Sequence, residues 1–303
     1  MSACRTGHRY GRKPNNVSMM PFDKTGKSGA AIVRRPGFPA QLTCDALVTT
    51  GLTNATKIIA AKAGKTRTSA STAAEFTRLG QSGQADVGFA AVRQKMVLQL
   101  IHQGVTDARV LTAMNNVERH RFVDSALANQ AYVDTSLPIG LGQTISKPNV
   151  VARMLELLCA KPSGSSQKLG RVLEIGTGCG YQTALLSHLA DEVYSIERLR
   201  SLHDKAIENL RFLRLPNVHL LFGDGIPGYA RGAPYAAIIA AAGGVAIPQA
   251  WTDQLAVGGR LVAPVHINAG EQALVLFEKT TQGITRTVLE PVFFVPLKSG
   301  IND

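Results

Sequence analysis

The sequence predicts an α/β fold, a doubly wound and mostly parallel sheet with helices on both faces, preceded by a basic N-terminal extension. Three observations lead there. From about residue 171 onward, apolar runs of strand length alternate with helical patterns, as in a parallel sheet covered on both faces. The glycine-rich run "GTGCG" at 176–180 stands directly between the first of those strands and a helix. Residues 1–85 share neither feature: they hold 13 Lys and Arg against 3 Asp and Glu, and their hydrophobic periodicity is weak. The remaining residues hold 20 basic and 18 acidic side chains, so the net charge of +12 belongs to the leader and not to the folded part.

The 303 residues are enough for one substantial core. No apolar run approaches the roughly 18–20 residues of a membrane span. The start "MSACRTGHRYGRKP" lacks the apolar stretch of a secretory signal, so a cytoplasmic location is expected. Cys4, Cys44, Cys159 and Cys179 lie far apart with no Cys-x-x-Cys pair, which fits free thiols in a reducing compartment and not a zinc or disulfide framework. Residues 1–85 read as a low-complexity, disordered extension with a transient helix near Leu52–Ala63. A tether to nucleic acid or to an anionic membrane is the functional alternative for it. The absence of interleaved aromatics for base stacking weighs against nucleic acid.

The folded part is expected over 86–303, with a helical portion at 86–160 and the sheet core at 161–303. "VRQKMVLQLIHQG" spaces its apolar residues helically and stops at Gly104. A second helix, "TDARVLTAMNNV", is expected to be capped by Thr106. Residues 133–148, "VDTSLPIGLGQTISKP", read as a loop. Ser146 and Pro148 then lead into the helix "NVVARMLELLCA". "RVLEI", "EVYSIE", "VHLLFGD" and "YAAIIAAA" read as strands, with "YQTALLSHL", "LRSLHDKAIENLRFLR" and "PQAWTDQL" as helices. Gly258-Gly259 is expected to turn into the strand "RLVAPV", and "QALVLFEK" and "TRTVLEPVFFVPL" to pair around Gly283. In such a sheet a ligand binds at the carboxyl ends of the strands.

Gly176, Thr177, Gly178 and Gly180 form the loop in which backbone can approach a ligand closely at a helix N-terminus. Tyr181 stands where a dinucleotide motif needs its last glycine, which argues against a pyrophosphate cofactor. Glu197, followed by Arg198, ends the second strand about 20 residues after the loop, the place of a ribose-binding acid. Asp224 and Gly225 follow the third strand, where a carboxylate suits the exocyclic amine of adenine. Glu174, inside the first motif, is expected to hydrogen-bond loop amides or the cofactor's amino group. An adenosine ligand without phosphates fits this set, and S-adenosyl-L-methionine is such a ligand.

"LPIGLGQTISKP" with "MLELL", then "VLEIGTGCGYQTALL", "IER", "GDG", "APYAAII" and "GGRLVAPV", resembles the protein-L-isoaspartate (D-aspartate) O-methyltransferase family over about residues 87–297. The resemblance implies a class I S-adenosyl-L-methionine-dependent methyltransferase sheet with a variant strand order. It implies repair of isoaspartyl-containing proteins and peptides by methylation of the free L-isoaspartyl carboxylate. It also maps the family's catalytic serine to Ser146, and Gln143, Thr144 and Ile145 to the stretch against the cofactor. The alternative role of Ser146 is to cap the helix that follows. Two departures stand out: Ala236 replaces an aspartate, and "AAAGG" replaces a Val-Thr-Ala-Ala run, so that Ala240 lacks an expected hydroxyl.

The chemistry asks for little more. A carboxylate with a reference pKa of about 4 is already ionised at neutral pH and attacks without a general base. No metal is expected, and His102, His120, His188, His203, His219 and His266 are scattered over helices, strands and loops as surface or packing residues. Cys179 reads as a small tolerated residue. A monomer is expected. The alternative function is another class I methyltransferase acting on RNA or a small molecule. Enzymes that methylate nucleic-acid amines carry an Asn/Asp-Pro-Pro-aromatic motif where this chain has "AAAGGVAIP", which disfavours that reading.

Overall fold

The computed structural model describes residues 88–160, 168–268 and 270–302. The leader, where a transient helix is expected near 52–63, and residues 161–167 lie outside the described residues.

The helical portion begins with α1 (88–102), which buries Met96 and Leu100 and ends at Gly104, where φ is 96°. Helix α2 (Ala108–Asn116) is capped by Asp107, whose carboxylate accepts from the N–H groups of Arg109 and Val110. The expected cap, Thr106, is committed elsewhere. Its N–H and hydroxyl, and the N–H of Asp107, all reach Glu156 Oε1 at 2.7, 3.0 and 3.0 Å. A carboxylate from a later helix thus sits at the α2 N-terminus, a tertiary contact that no local spacing reveals.

The stretch expected to be a loop contains a small antiparallel hairpin, β1 (Leu137–Gly140) and β2 (Gln143–Ile145). Strands of three and four residues are too short for alternation to register. Its turn uses three successive positive φ angles, at Gly140, Leu141 and Gly142. Helix α3 (Pro148–Cys159) follows, with Lys147 as the N-cap and no side-chain capping bond. Ser146 lies one residue too early to cap, and its hydroxyl is left for other use.

The main sheet runs in the order β5-β4-β3-β6-β7-β8-β9, built from β3 (Leu169–Ile175), β4 (Ala190–Glu197), β5 (Val218–Phe222), β6 (Tyr235–Ala240), β7 (Leu255–Asn268), β8 (Glu271–Thr280) and β9 (Gly283–Val292). The first five in that order are parallel; β7, β8 and β9 continue as an antiparallel meander. Gly258 and Gly259 lie inside β7, at a register irregularity, and do not precede the strand. Helices α4 (Tyr181–Leu189), α5 (Arg200–Arg211) and α6 (Gln249–Gln254) cover the faces.

The central strand β3 shows why the pattern was readable. Residues 172–175 are all buried, Val172 packing into one hydrophobic cluster while Leu173 and Ile175 pack into the other. The chain leaves β3 toward β4 on one side and comes back to β6 on the other. The loops after β3 and β6 therefore diverge, and the crevice between them is where an open α/β sheet holds its ligand.

Candidate functional site

Two cavities open at the carboxyl ends of the parallel strands. The first, about 460 Å³, lies against the glycine loop and is lined by Gly176, Gly178, Glu197, Arg198, Gly225 and the hairpin residues Gln143 and Thr144, among others. The second, about 500 Å³, is lined by Ser146, Lys147, Ser136 and the run Pro291–Val295. Both volumes suit a small-molecule or side-chain ligand. Thr144, Ala241 and Val295 line both, so the two cavities meet at these residues.

The glycine loop takes φ of 91°, 58° and 90° at Gly176, Gly178 and Gly180, a path that side-chain-bearing residues rarely follow. It is braced from behind and from the side. Glu197 Oε2 accepts from the Gly178 N–H at 2.9 Å, and its Oε1 accepts from the N–H groups of Arg198 and Leu199. Asn209 of α5 donates to the Cys179 carbonyl at 2.9 Å, and Lys205, one turn earlier, donates to the Ile139 carbonyl at 3.1 Å. One helix face thus ties the loop and the β1–β2 hairpin to each other.

The other candidates divide by position. Ile145 is buried in the core cluster, and Thr177 is buried with its hydroxyl against that of Ser195 at 2.6 Å. Asp224 is not among the residues lining the cavity: Oδ1 accepts from the Ile226 N–H and Oδ2 from the Gly300 N–H at 2.6 Å. Together with Arg198 Nε donating to the Gly300 carbonyl and the bridge between Leu199 and Asn302, it fastens the segment 297–302 over the first cavity. Gly225, beside it, does line the cavity; a Cβ there would lie 2.6 Å from Ile175, so the turn tolerates no side chain.

Glu174 departs from its expected partners. It is completely buried and bonds neither loop amides nor the cavity. Gln182, Thr183 and Ser195 donate to its carboxyl group at 3.0, 2.5 and 2.7 Å. Burial pushes its pKa up to about 7, against the pull of those three donors. A raised carboxyl pKa means that the folded state holds a proton which the unfolded chain releases near 4.5. The stability it contributes is therefore complete below about pH 4.5 and is lost as pH rises through about 7. Glu174→Gln keeps the shape without the titration. Urea unfolding at pH 5 and pH 8 is expected to show a smaller stability difference in this variant than in the wild type.

The missing hydroxyl falls at a different residue from the one expected. Ala240, the last residue of β6, is fully buried in the core, whereas Ala241, the next along, faces both cavities. Side chains alternate across a strand end, so a shift of one residue exchanges core for site. Position 241 is thus where a hydroxyl would reach the junction, and here it carries only a methyl group.

Sequence reasoning missed three further parts of the site. Gln272 on β8 holds the Phe294 backbone by both groups, its amide donating to the carbonyl at 3.2 Å and accepting from the N–H at 2.8 Å. This fixes the Phe293–Val295 wall between the cavities. Phe293 itself is 92% exposed at the rim of the second cavity, unusual for an aromatic. Arg119, fully buried, donates to the Ser146 carbonyl at 2.8 Å. In the sequence it sits in "ERHRF", which reads as a surface charge run, and nothing local marks it as interior.

With this geometry in place, comparisons with known proteins agree. The family model for protein-L-isoaspartate(D-aspartate) O-methyltransferase (PCMT) matches residues 91–302. A protein-L-isoaspartate O-methyltransferase of Leptothrix cholodnii is 59% identical over 213 residues, covering 70% of this chain and 75% of that protein. One of Methylibium petroleiphilum is 59% identical over 212 residues, covering 69% and 78%. Among solved structures, a protein-L-isoaspartate O-methyltransferase superposes with a TM-score of 0.62 at 27% identity, covering 69% of this chain and 67% of the other. A Plasmodium falciparum chain described as a beta-aspartate methyltransferase, solved with S-adenosyl-L-homocysteine, gives 0.57 at 24% identity, covering 68% and 98%, and supports the fold.

Proposed function

The chain belongs to the protein-L-isoaspartate(D-aspartate) O-methyltransferase family, and from that premise we propose how its own residues serve the reaction. The activity is transfer of a methyl group from S-adenosyl-L-methionine to the free carboxylate of L-isoaspartyl residues in damaged proteins and peptides. RNA and small-molecule acceptors are not favoured by these relatives.

The residues of the first cavity fit the cofactor. The glycine loop leaves room beside its backbone, Glu197 presents a carboxylate at the strand end, and the Gly225 turn is pressed against Ile175 with no side chain to intrude. Gln143 and Thr144 would hold it from the hairpin side, and Arg198 from the strand end. When bound, S-adenosyl-L-methionine supplies the electrophilic sulfonium methyl group that the substrate carboxylate takes, leaving S-adenosyl-L-homocysteine. The second cavity would receive the isoaspartyl side chain. There the Ser146 hydroxyl donates a hydrogen bond to one carboxylate oxygen and leaves the other to face Thr144 and Ala241, where the cavities join. Val292, Phe294 and Val295 give the cavity an apolar wall that limits water, and a poorly solvated carboxylate is the stronger nucleophile. No side chain has to remove a proton.

The observation that carries this reading is the meeting of the two cavities at Thr144, Ala241 and Val295, with the glycine loop on one side and Ser146 on the other. The test is direct. Protein incubated with methyl-labelled S-adenosyl-L-methionine should label an isoaspartyl peptide and leave the matching aspartyl peptide unlabelled. Equal labelling of both, or of neither, would overturn the reading.

The domain division follows the same logic: residues 86–303 are the catalytic unit and 1–85 are dispensable for it. A chain lacking 1–85 is expected to methylate the peptide with kcat and KM within about twofold of the full chain. A larger loss, or failure to fold, would tie the leader to the catalytic unit. Among the described residues no helix is long and apolar enough to cross a membrane. We infer that the enzyme works in the cytoplasm, as a monomer, on protein and peptide substrates.

A further inference from the structure

Arg119 is fully buried, and among the described residues it pairs with no carboxylate. Its Nε donates to the Ala131 carbonyl at 2.7 Å and its Nη2 to the Ser146 carbonyl at 2.8 Å. Its Nη1 has no hydrogen-bond partner. The guanidinium carbon lies 4.8 Å from the centroid of the Tyr181 ring, on its face. Tyr181 opens α4 immediately after the glycine loop, and Ala131 ends the short 3-10 turn Ser125–Gln130. One planar group therefore joins three segments, one carrying Ser146 of the second cavity and one following the glycine loop of the first.

Packing alone does not call for a cation here. Burying a guanidinium without a counter-charge is costly, and an apolar side chain would fill the same space at less expense in desolvation. What the guanidinium adds is direction. Its N–H groups form a rigid fork, so two carbonyls held by it are fixed relative to each other. The Ser146 carbonyl belongs to the Ser146–Lys147 peptide plane, and Lys147 takes φ of −52° and ψ of 140° as the helix starts. Holding that plane sets the backbone torsion of Ser146, and with it the direction in which its Cβ and hydroxyl enter the second cavity.

We propose that Arg119 is a positioning residue for methyl transfer, which aims the Ser146 hydroxyl at the substrate carboxylate by holding the Ser146 carbonyl against the Tyr181 platform. The proposal rests on the role given above to Ser146. It also places a buried positive charge beneath the floor that receives an anionic substrate, where low dielectric preserves its influence.

The experiment is a double-mutant cycle on the full chain. Arg119→Lys keeps charge and stem but loses the fork, and Arg119→Met removes both. Each is combined with Ser146→Ala, and kcat and KM are measured on an isoaspartyl peptide per site that binds S-adenosyl-L-homocysteine, so that unfolded protein is not counted. Arg119→Lys is expected to lower kcat about tenfold, with the S-adenosyl-L-homocysteine Kd within about threefold of wild type. In the Ser146→Ala background the same substitution should change kcat by less than about twofold, because a residue acting through Ser146 has nothing left to aim. If Arg119→Met fails to fold, Arg119→Lys carries the test alone. A wild-type kcat in Arg119→Lys beside an impaired Ser146→Ala overturns this inference and leaves the Ser146 role standing. So does a tenfold loss that persists undiminished in the double variant. A wild-type kcat in Ser146→Ala removes the Ser146 role itself, and this inference with it.

Discussion

Ser146→Ala is expected to lower kcat on an isoaspartyl peptide about 10- to 100-fold while the Kd for S-adenosyl-L-homocysteine changes less than threefold. The residue lines the second cavity and not the first, so its loss should leave the cofactor's surroundings intact. Helix α3 is capped at Lys147 with no side-chain bond, so removing the Ser146 hydroxyl takes away no cap, and stability should hold within about 0.5 kcal/mol. That separation gives the experiment its force. A hydroxyl that only stiffened the helix start would show as a fall in thermal midpoint with kcat unchanged. A hydroxyl that orients the carboxylate shows in kcat with the midpoint unchanged. Single-turnover rates at saturating cofactor, read beside thermal unfolding, separate the two, and a wild-type rate would end the case for Ser146.

Glu197→Gln is expected to act on the other cavity. Its carboxylate has two jobs: three backbone N–H groups donate to it, those of Gly178, Arg198 and Leu199, and it stands on the cavity wall at the end of β4. A hydrogen bond to a charged group contributes about 1.5–3 kcal/mol, and the amide's NH2 would oppose one of those donors. The S-adenosyl-L-homocysteine Kd should therefore rise about 30- to 100-fold, measured by calorimetry, with a stability loss of about 1–3 kcal/mol. At saturating cofactor kcat should recover most of its wild-type value. An unchanged Kd together with the stability loss would reduce Glu197 to a brace for the glycine loop.

These two expectations draw on different kinds of legibility. The central strands β3 and β6 could be read because each is a short run whose burial on both faces leaves a continuous apolar signature, as at 172–175. The glycine loop and the acid some 20 residues later could be read because backbone demand is local: positive φ at 176, 178 and 180 needs glycine whatever surrounds it. The helices that follow Pro148 and Gly180 were marked by their own termini.

Other features misled for an equally physical reason. Thr106 has the chemistry of a cap, but Glu156, 50 residues away, takes its donors. Glu174 looked available to the loop, but three side chains of α4 and β4 enclose it. A polar side chain takes the partner that folding brings nearest, and sequence order does not say which that is.

The sequence by itself determined the class of sheet, the cofactor loop and the segment that carries Ser146, since each is written in neighbouring residues with fixed conformational demands. Only the tertiary structure decided which residue of "AAAGG" faces the reaction and which carboxylate lines the first cavity. It also decided that the two cavities meet, and that a buried arginine stands behind the serine. Those outcomes depend on contacts between segments far apart in the sequence, where solvent exclusion and hydrogen-bond geometry, and not local propensity, choose the partner.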